Sequence, residues 1–312
     1  MSRTSLVLGV DGGGTKSIGL ISDLSGNILS RREVGATNPN VVGLEASADN
    51  LFRLISKCCE DVRCPPFELR SVVLGLAGAG DKEFREQIKE SVNALFAKNG
   101  SKSLRIHVES DARVALEGAF DGGPGVVIIS GTGSIVMGKT LSGDVHTVGG
   151  WGRILGDEGS GYSIGRDGVR AVTLEYDGRG DSTKLKELLA TNLQWTTRES
   201  IIKAVYREQF DLAKVAPFVM EAAMNHDAIC QKILQNAASQ FIEQIRVIVM
   251  KMGLFQKIGL VMCGGLFEHS TVFSNVLKLK IMKGLPQVEV RQASQSPAHG
   301  AVRMAISRVR TK

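Results

Sequence analysis

From Ser5 to Asp11, from Ser17 to Asp23 and from Ile28 to Val34 the chain carries short apolar runs, parted by Gly12-Gly13-Gly14 and by Leu24-Ser25-Gly26-Asn27. The runs have strand length and the breaks have turn chemistry, so the pattern predicts an antiparallel meander. Beyond it the period changes, with Leu44, Ala48, Leu51, Leu54, Ile55, Cys58 and Val62 falling on one face of a helix. A strand over Arg70 to Leu76, a helix over about Lys82 to Lys98, a strand over Leu104 to Glu109 and a helix over Asp111 to Phe120 complete this half.

The same grammar then restarts. Strands are predicted over Val126 to Ser130, Ser134 to Lys139 and Asp144 to Val148, broken by Gly131-Thr132-Gly133 and Leu141-Ser142-Gly143. Shifting residues 14 to 27 by 117 positions matches Gly14, Thr15, Ser17, Ile18, Leu24, Ser25 and Gly26 to identical residues without a gap. Average composition would give roughly one match in such a window, so the pattern points to duplication. From Gly159 to Met252 the pattern is mainly helical and ends in a long helix from about Asp227. A strand over Lys257 to Cys263, a Gly264-Gly265 turn, a helix over His269 to Lys280 and a closing helix over Ala298 to Arg310 follow.

This order predicts an α/β fold of two similar lobes. At 312 residues the chain also exceeds the size at which a single core stops growing, and a cleft between the lobes is expected. The N-terminal lobe is expected to take residues 1–112 plus 298–312, and the C-terminal lobe residues 113–297.

Composition narrows the function classes. The 43% apolar and 22% charged fractions are those of an ordinary globular protein, while 36 Gly against 7 Pro imply many tight turns and close backbone approaches. The formal charge of +6 is spread along the chain without a basic run, which suits an anion such as ATP and speaks against nucleic acid as a partner. The cysteines at 58, 59, 64, 230 and 263 make no CxxC pair and leave an odd count, against a zinc site or a disulfide framework. Reduced thiols, no signal-peptide core and no apolar run of membrane-spanning length lead to the expectation of a cytoplasmic protein without a membrane partner. Oligomeric state stays open, with a homodimer as one option.

Asp11-Gly12-Gly13-Gly14-Thr15-Lys16 follows the first strand at once, and Ser130-Gly131-Thr132-Gly133 follows its counterpart. Such turns offer backbone N–H groups and Thr hydroxyls to phosphate oxygens, and Asp11 at the strand end can hold Mg²⁺ through water. No Gly-Lys-Ser/Thr opens a helix, so neither turn is a P-loop. Asp111, just past a strand and opening a helix, is either the cap of that helix or a general base, and the two roles are compatible. The glycine-dense stretch Gly149-Gly150-Trp151-Gly152, continued by Gly156-Asp157-Glu158-Gly159, offers carboxylates for sugar hydroxyls and an indole for a C–H face. Asp157 or Glu158 is alternatively a helix cap.

The strings DGGGTKS, TNPN, SDA, ISGTGS, GGWG, GDEGSGY and CGG, in this order and spread over nearly the whole chain, resemble the N-acetylglucosamine kinase group of the BadF/BadG-type ATPases. These belong to the actin-like (sugar kinase/Hsp70) superfamily, whose lobes are ribonuclease H-like. The resemblance implies ATP and Mg²⁺ as cofactors, an amino sugar as substrate and phosphorylation of its 6-hydroxyl. It implies Asp111 as catalytic base and Asn38 and Asp157 as ligands of sugar hydroxyls, with Gly149, Gly150, Trp151 and Glu158 also about the sugar. Gly13, Gly14, Thr15, Lys16, Gly131, Thr132 and Gly133 would then hold phosphates, with Gly264 and Gly265 against the adenosine.

One position departs from the group, since Asn40 stands where its animal members carry an aromatic residue, and this leaves glucosamine or another hexose as the alternative substrate. The same family contains activators of 2-hydroxyacyl-CoA dehydratases, but those carry cysteines by the second phosphate turn and Ile128-Ile129-Ser130-Gly131 has none. A nucleotide-gated interaction protein, turning ATP over slowly to water, is the non-enzymatic alternative. A sugar-responsive repressor would need a DNA-binding helix pair ahead of the first strand, where only four residues stand.

Overall fold

The computed structural model describes residues 5–253, 257–268 and 271–310. In chain order the first half runs β1 (Leu6–Gly12), β2 (Lys16–Asp23), β3 (Ile28–Gly35), α1 (Pro39–Val42), α2 (Leu44–Asp61), β4 (Ser71–Leu76), α3 (Lys82–Lys98), β5 (Ile106–Ser110) and α4 (Asp111–Ala119). The second half runs β6 (Gly125–Ser130), β7 (Ser134–Lys139), β8 (Val145–Gly149), α5 (Gly161–Tyr176), α6 (Leu185–Leu193), α7 (Arg198–Ile202), α8 (Ala216–Met224) and α9 (Ala228–Lys251). It ends with β9 (Ile258–Cys263), α10 (Val272–Gly284) and β10 (Val288–Arg291), after which α11 (Pro297–Arg310) closes the chain. The start expected for the α10 helix, His269, lies outside the described residues.

Each half builds a five-stranded sheet, and the two sheets have one topology, β3-β2-β1-β4-β5 and β8-β7-β6-β9-β10. The first three strands form the predicted antiparallel meander, and the last two join in parallel. The second sheet repeats this pairing throughout. The duplication extends to backbone dihedrals, as Gly26 and Gly143, 117 positions apart, both close their hairpins at φ +94°. The phosphate-type turns differ by one residue. Gly12 pairs with Ser17 across the first, whereas Ser130 pairs with Ser134 across the second.

The chain divides into two compact units, residues 1–124 with 292–312 and residues 125–291. The boundary expected after residue 112 falls inside α4, which lies wholly in the first unit because α11 packs on it. A side chain at Gly300 would strike the Val114 carbonyl at 2.0 Å, and one at Gly118 the Ser296 carbonyl at 2.3 Å. Two glycines therefore let these helices touch backbone to backbone. The second unit is the more helical, with Phe241, Phe267 and Phe273 clustered in its core. The four-residue strand β10 was not foreseen, since Val288–Arg291 is too short and too charged to show a period.

Candidate active site

In the first unit, β1, β4 and β5 run parallel and present their C-terminal ends on one edge of the sheet, where open α/β sheets bind ligands. Asp11 stands at the end of β1 and Asp111 immediately after β5. Burial pushes the Asp11 carboxyl up to about 6, the charge of Asp111 pushes it the same way, and Lys16 opposes both. Burial raises Asp111 as well, against a hydrogen bond that its Oδ1 accepts from the Ala112 N–H at 2.8 Å. Asp111 does not cap α4. The cap is Ser110, whose hydroxyl accepts from the Arg113 N–H at 3.2 Å. The carboxylate is therefore not committed to holding the helix end.

The first turn carries Gly13, Gly14, Thr15 and Lys16, the last three exposed. The Gly13 carbonyl accepts from the N–H groups of Thr37 and Asn38, so the turn is tied to the loop before α1. Asn38 caps that short helix, its Oδ1 accepting from the Asn40 N–H at 2.9 Å. A side chain at Gly78, φ +84°, would meet Asn40 Nδ2 at 2.7 Å and Asn38 Oδ1 at 2.9 Å. The structure thus brings Asn38, Asn40 and Gly78 together. Gly78 was missed because one glycine in Ala77-Gly78-Ala79-Gly80 gives no periodic signal.

In the second unit, Asp157 is 8% exposed and holds a left-handed backbone at φ +60°, a conformation that costs a residue other than glycine roughly 1 kcal/mol or more. Its carboxylate accepts hydrogen bonds from the backbone of Ser134 and Gly152. Burial, helped by the neighbouring Glu158, still raises its pKa. Asp157 therefore fastens the sugar-type loop to the end of the second turn. Neither Asp157 nor Glu158 caps α5, because Ser160 does so by accepting from the Ser163 N–H at 3.1 Å.

The glycines of the second turn face different ways. A side chain on Gly131 would meet open space, whereas one on Gly133 would lie 2.8 Å from Asp157 Oδ2. Gly133 is thus bare on the side where Asp157 lies. Thr132 is exposed at the tip, and the carbonyls of Gly131 and Thr132 accept from the first N–H groups of α5. Gly264, φ +100°, sits so close to β6 that a side chain would reach the Ser130 carbonyl at 2.4 Å, while Gly265 is open. The Gly264-Gly265 turn and the second phosphate-type turn are consequently neighbours. Trp151 is 75% exposed, and Gly149, Gly150 and Gly152 around it all have positive φ. Ser130 and Ser134, to which the sequence assigns no site role, donate their hydroxyls to the carbonyls of Gly159 and Glu158, both at 2.9 Å, and so anchor the loop.

The residues present fit Mg²⁺ held with phosphate groups. Among the described residues no cluster of three or more His, Cys, Asp or Glu gathers as a metal cage. Mg²⁺ usually needs only one or two carboxylates and completes its shell with water and phosphate oxygens, and Asp11 next to Asp111 is a partly desolvated acidic pair that such a cation would relieve.

The chain is 32% identical to the N-acetyl-D-glucosamine kinase of Dictyostelium discoideum, a match covering 97% of this chain and 98% of that one. It is 29% identical to the N-acetylmuramic acid/N-acetylglucosamine kinase of Clostridium acetobutylicum over 96% of this chain and 98% of the relative. Among solved structures, a proposed N-acetylglucosamine kinase from Chromobacterium violaceum superposes with a TM-score of 0.75 at 21% identity, covering 97% and 99% of the two chains, which shows the shared fold. Residues 8–305 match the model of one family from the first strand to the last helix, every turn described above included, and the chain belongs to it, the BadF/BadG/BcrA/BcrD ATPase family.

Proposed function

We propose that this protein is an ATP-dependent amino-sugar kinase that phosphorylates the 6-hydroxyl of N-acetylglucosamine. The observation that carries the reading is the acidic pair of the first unit, with Asp111 relieved of capping by Ser110 and set close enough to Asp11 to raise its pKa. The near full-length likeness to two amino-sugar kinases supports the substrate class.

In this reading Asp111 accepts the proton of the sugar hydroxyl as that oxygen bonds to the γ-phosphorus of ATP, and the bond from the γ-phosphorus to the bridging oxygen breaks to release ADP. Asp11 is the residue that would hold Mg²⁺, whose charge would offset that of the phosphates. Gly13, Gly14, Thr15 and Lys16 in the first unit and Gly131, Thr132 and Gly133 in the second bind phosphate, with Gly264 and Gly265 against the adenosine. Asn38 and Asp157 take sugar hydroxyls, and Glu158 and the Gly149-Gly150-Trp151 stretch lie about the 2-substituent. Asn40 is exposed beside Asn38, so a polar amide stands where the group's animal members carry a ring. That observation favours glucosamine as the second reading. In this reading the protein works in the cytoplasm, where ATP is supplied. Among the described residues no helix is long and apolar enough to cross a membrane.

ADP release measured across a panel of hexoses and hexosamines tests the proposal. The highest kcat/KM is expected for N-acetylglucosamine, with product phosphorylated at the 6-position. Equal or better turnover of glucosamine would transfer the assignment to that sugar, and sugar-independent ATP hydrolysis would defeat the kinase reading.

A further inference from the structure

The buried face of α9 is made of residues such as Phe241, Ile245 and Ile248, and Gln244 sits among them at 9% exposure. Its Nε2 donates to Glu158 Oε2 over a long 3.4 Å. Its Oε1 is fully buried and accepts from no group among the described residues. The opposite amide orientation would turn the carbonyl oxygen toward a carboxylate, so the observed one is the physically favoured one. Oε1 also lies 3.2 Å from where a side chain at Gly149 would begin. Gln244 therefore reaches both ends of the loop from Gly149 to Glu158.

An apolar side chain at this position would complete the core without stranding an acceptor, and a buried group without a partner destabilises a protein by more than its bond would add. Such costs concentrate at functional sites. The loop that Gln244 touches has three left-handed glycines, Gly149, Gly150 and Gly152, and exposes Trp151 and Leu155 at 75% and 78%.

We infer that Gln244 is a positioning residue for the sugar step. Its Nε2 sets the Glu158 carboxylate, and its Oε1 accepts a backbone N–H of the Gly149–Glu158 loop when the sugar is bound. The inference rests on the amino-sugar reading of that loop. Its chemistry is the pairing of a buried acceptor that has no donor among the described residues.

The test compares wild type with Gln244→Met, which keeps length and removes both polar atoms, and with Gln244→Leu, which removes them in a shorter side chain. Gln244→Met is expected to melt at the wild-type temperature or above it without sugar. Its KM for N-acetylglucosamine should rise about five-fold or more, the usual worth of one polar contact, with KM for ATP unchanged. The rise in melting temperature on saturating with the sugar should shrink in parallel. If Gln244→Met does not fold, Gln244→Leu is read in its place for the same split between the two KM values. A lower melting temperature with an unchanged sugar KM would make Gln244 a packing residue and overturn the inference while leaving the kinase reading intact. Wild-type protein without sugar-stimulated ATP turnover or a sugar-induced thermal shift would overturn both.

Discussion

Asp11 and Asp111, one hundred residues apart in sequence, meet electrostatically at one edge of the first sheet, and the charge of Asp111 helps to lift the Asp11 carboxyl from 3.8 to about 6. A carboxyl whose folded pKa lies above its unfolded value contributes stability that is complete below the unfolded pKa and lost as pH rises through the folded one. The Mg²⁺-free protein should therefore lose stability between about pH 4 and pH 6, by ~3 kcal/mol for a shift of this size. Asp11→Asn should melt higher than wild type at pH 7.5 without Mg²⁺ and indistinguishably at pH 4. Melting curves at the two pH values check this, and an Asn variant that melts lower at pH 7.5 would mean that the carboxylate is stabilised by a partner.

Asp111→Asn should reduce kcat by ~10²–10⁴, the usual worth of a positioned base, and leave the melting temperature unchanged or higher. Ser110→Ala should do the reverse, losing about 1 kcal/mol of stability with the helix cap while kcat stays near wild type. Steady-state kinetics and thermal melts of both variants separate base from cap. An Asn variant that retains more than about a tenth of wild-type kcat would remove Asp111 from the base role. Because Asp111 raises Asp11, the stability transition of the Asn variant should also move to lower pH.

Asp157→Ala should weaken sugar binding by ~1–3 kcal/mol, the cost of unpaired polar groups, with ATP affinity nearly unchanged. It should also destabilise the fold, because the backbone groups of Ser134 and Gly152 lose their acceptor and alanine must keep φ at +60°. Ser160→Ala, which removes the true cap of α5, should lower stability alone. Calorimetry with N-acetylglucosamine checks the difference, and normal sugar affinity in Asp157→Ala would take the sugar role away from this carboxylate.

Gly131→Val and Gly133→Ala should fail in different ways, although they are two residues apart. The Gly131 side chain would enter open space, so that variant should fold normally and lose ATP binding. At Gly133 even a methyl group meets the Asp157 carboxylate, so its variant should lose stability and sugar binding together. ATP calorimetry alongside thermal melts tests the pair, and undiminished ATP affinity in folded Gly131→Val would contradict the phosphate role of the second turn.

The amino-acid sequence by itself determined the repeated strand elements other than β10, and their duplication. Alternating and helical periods are local properties, and the offset of 117 survives because a hairpin such as Leu24-Ser25-Gly26-Asn27 needs glycine at its left-handed position wherever it recurs. Sequence likewise sufficed to nominate Asp11 before a glycine turn, Asp111 just past a strand and Asp157 in a glycine-dense loop, since such placements are visible in one dimension. The tertiary structure decided what each is free to do. Whether Asp111 caps its helix turns on a hydrogen bond that Ser110 wins, whether Gly133 has room for a side chain turns on where Asp157 lies 24 residues later, and the stranded acceptor of Gln244 exists only once α9 packs on the loop. Competition for hydrogen bonds and the exclusion of one side chain by another are properties of the packed chain, and no local pattern encodes them.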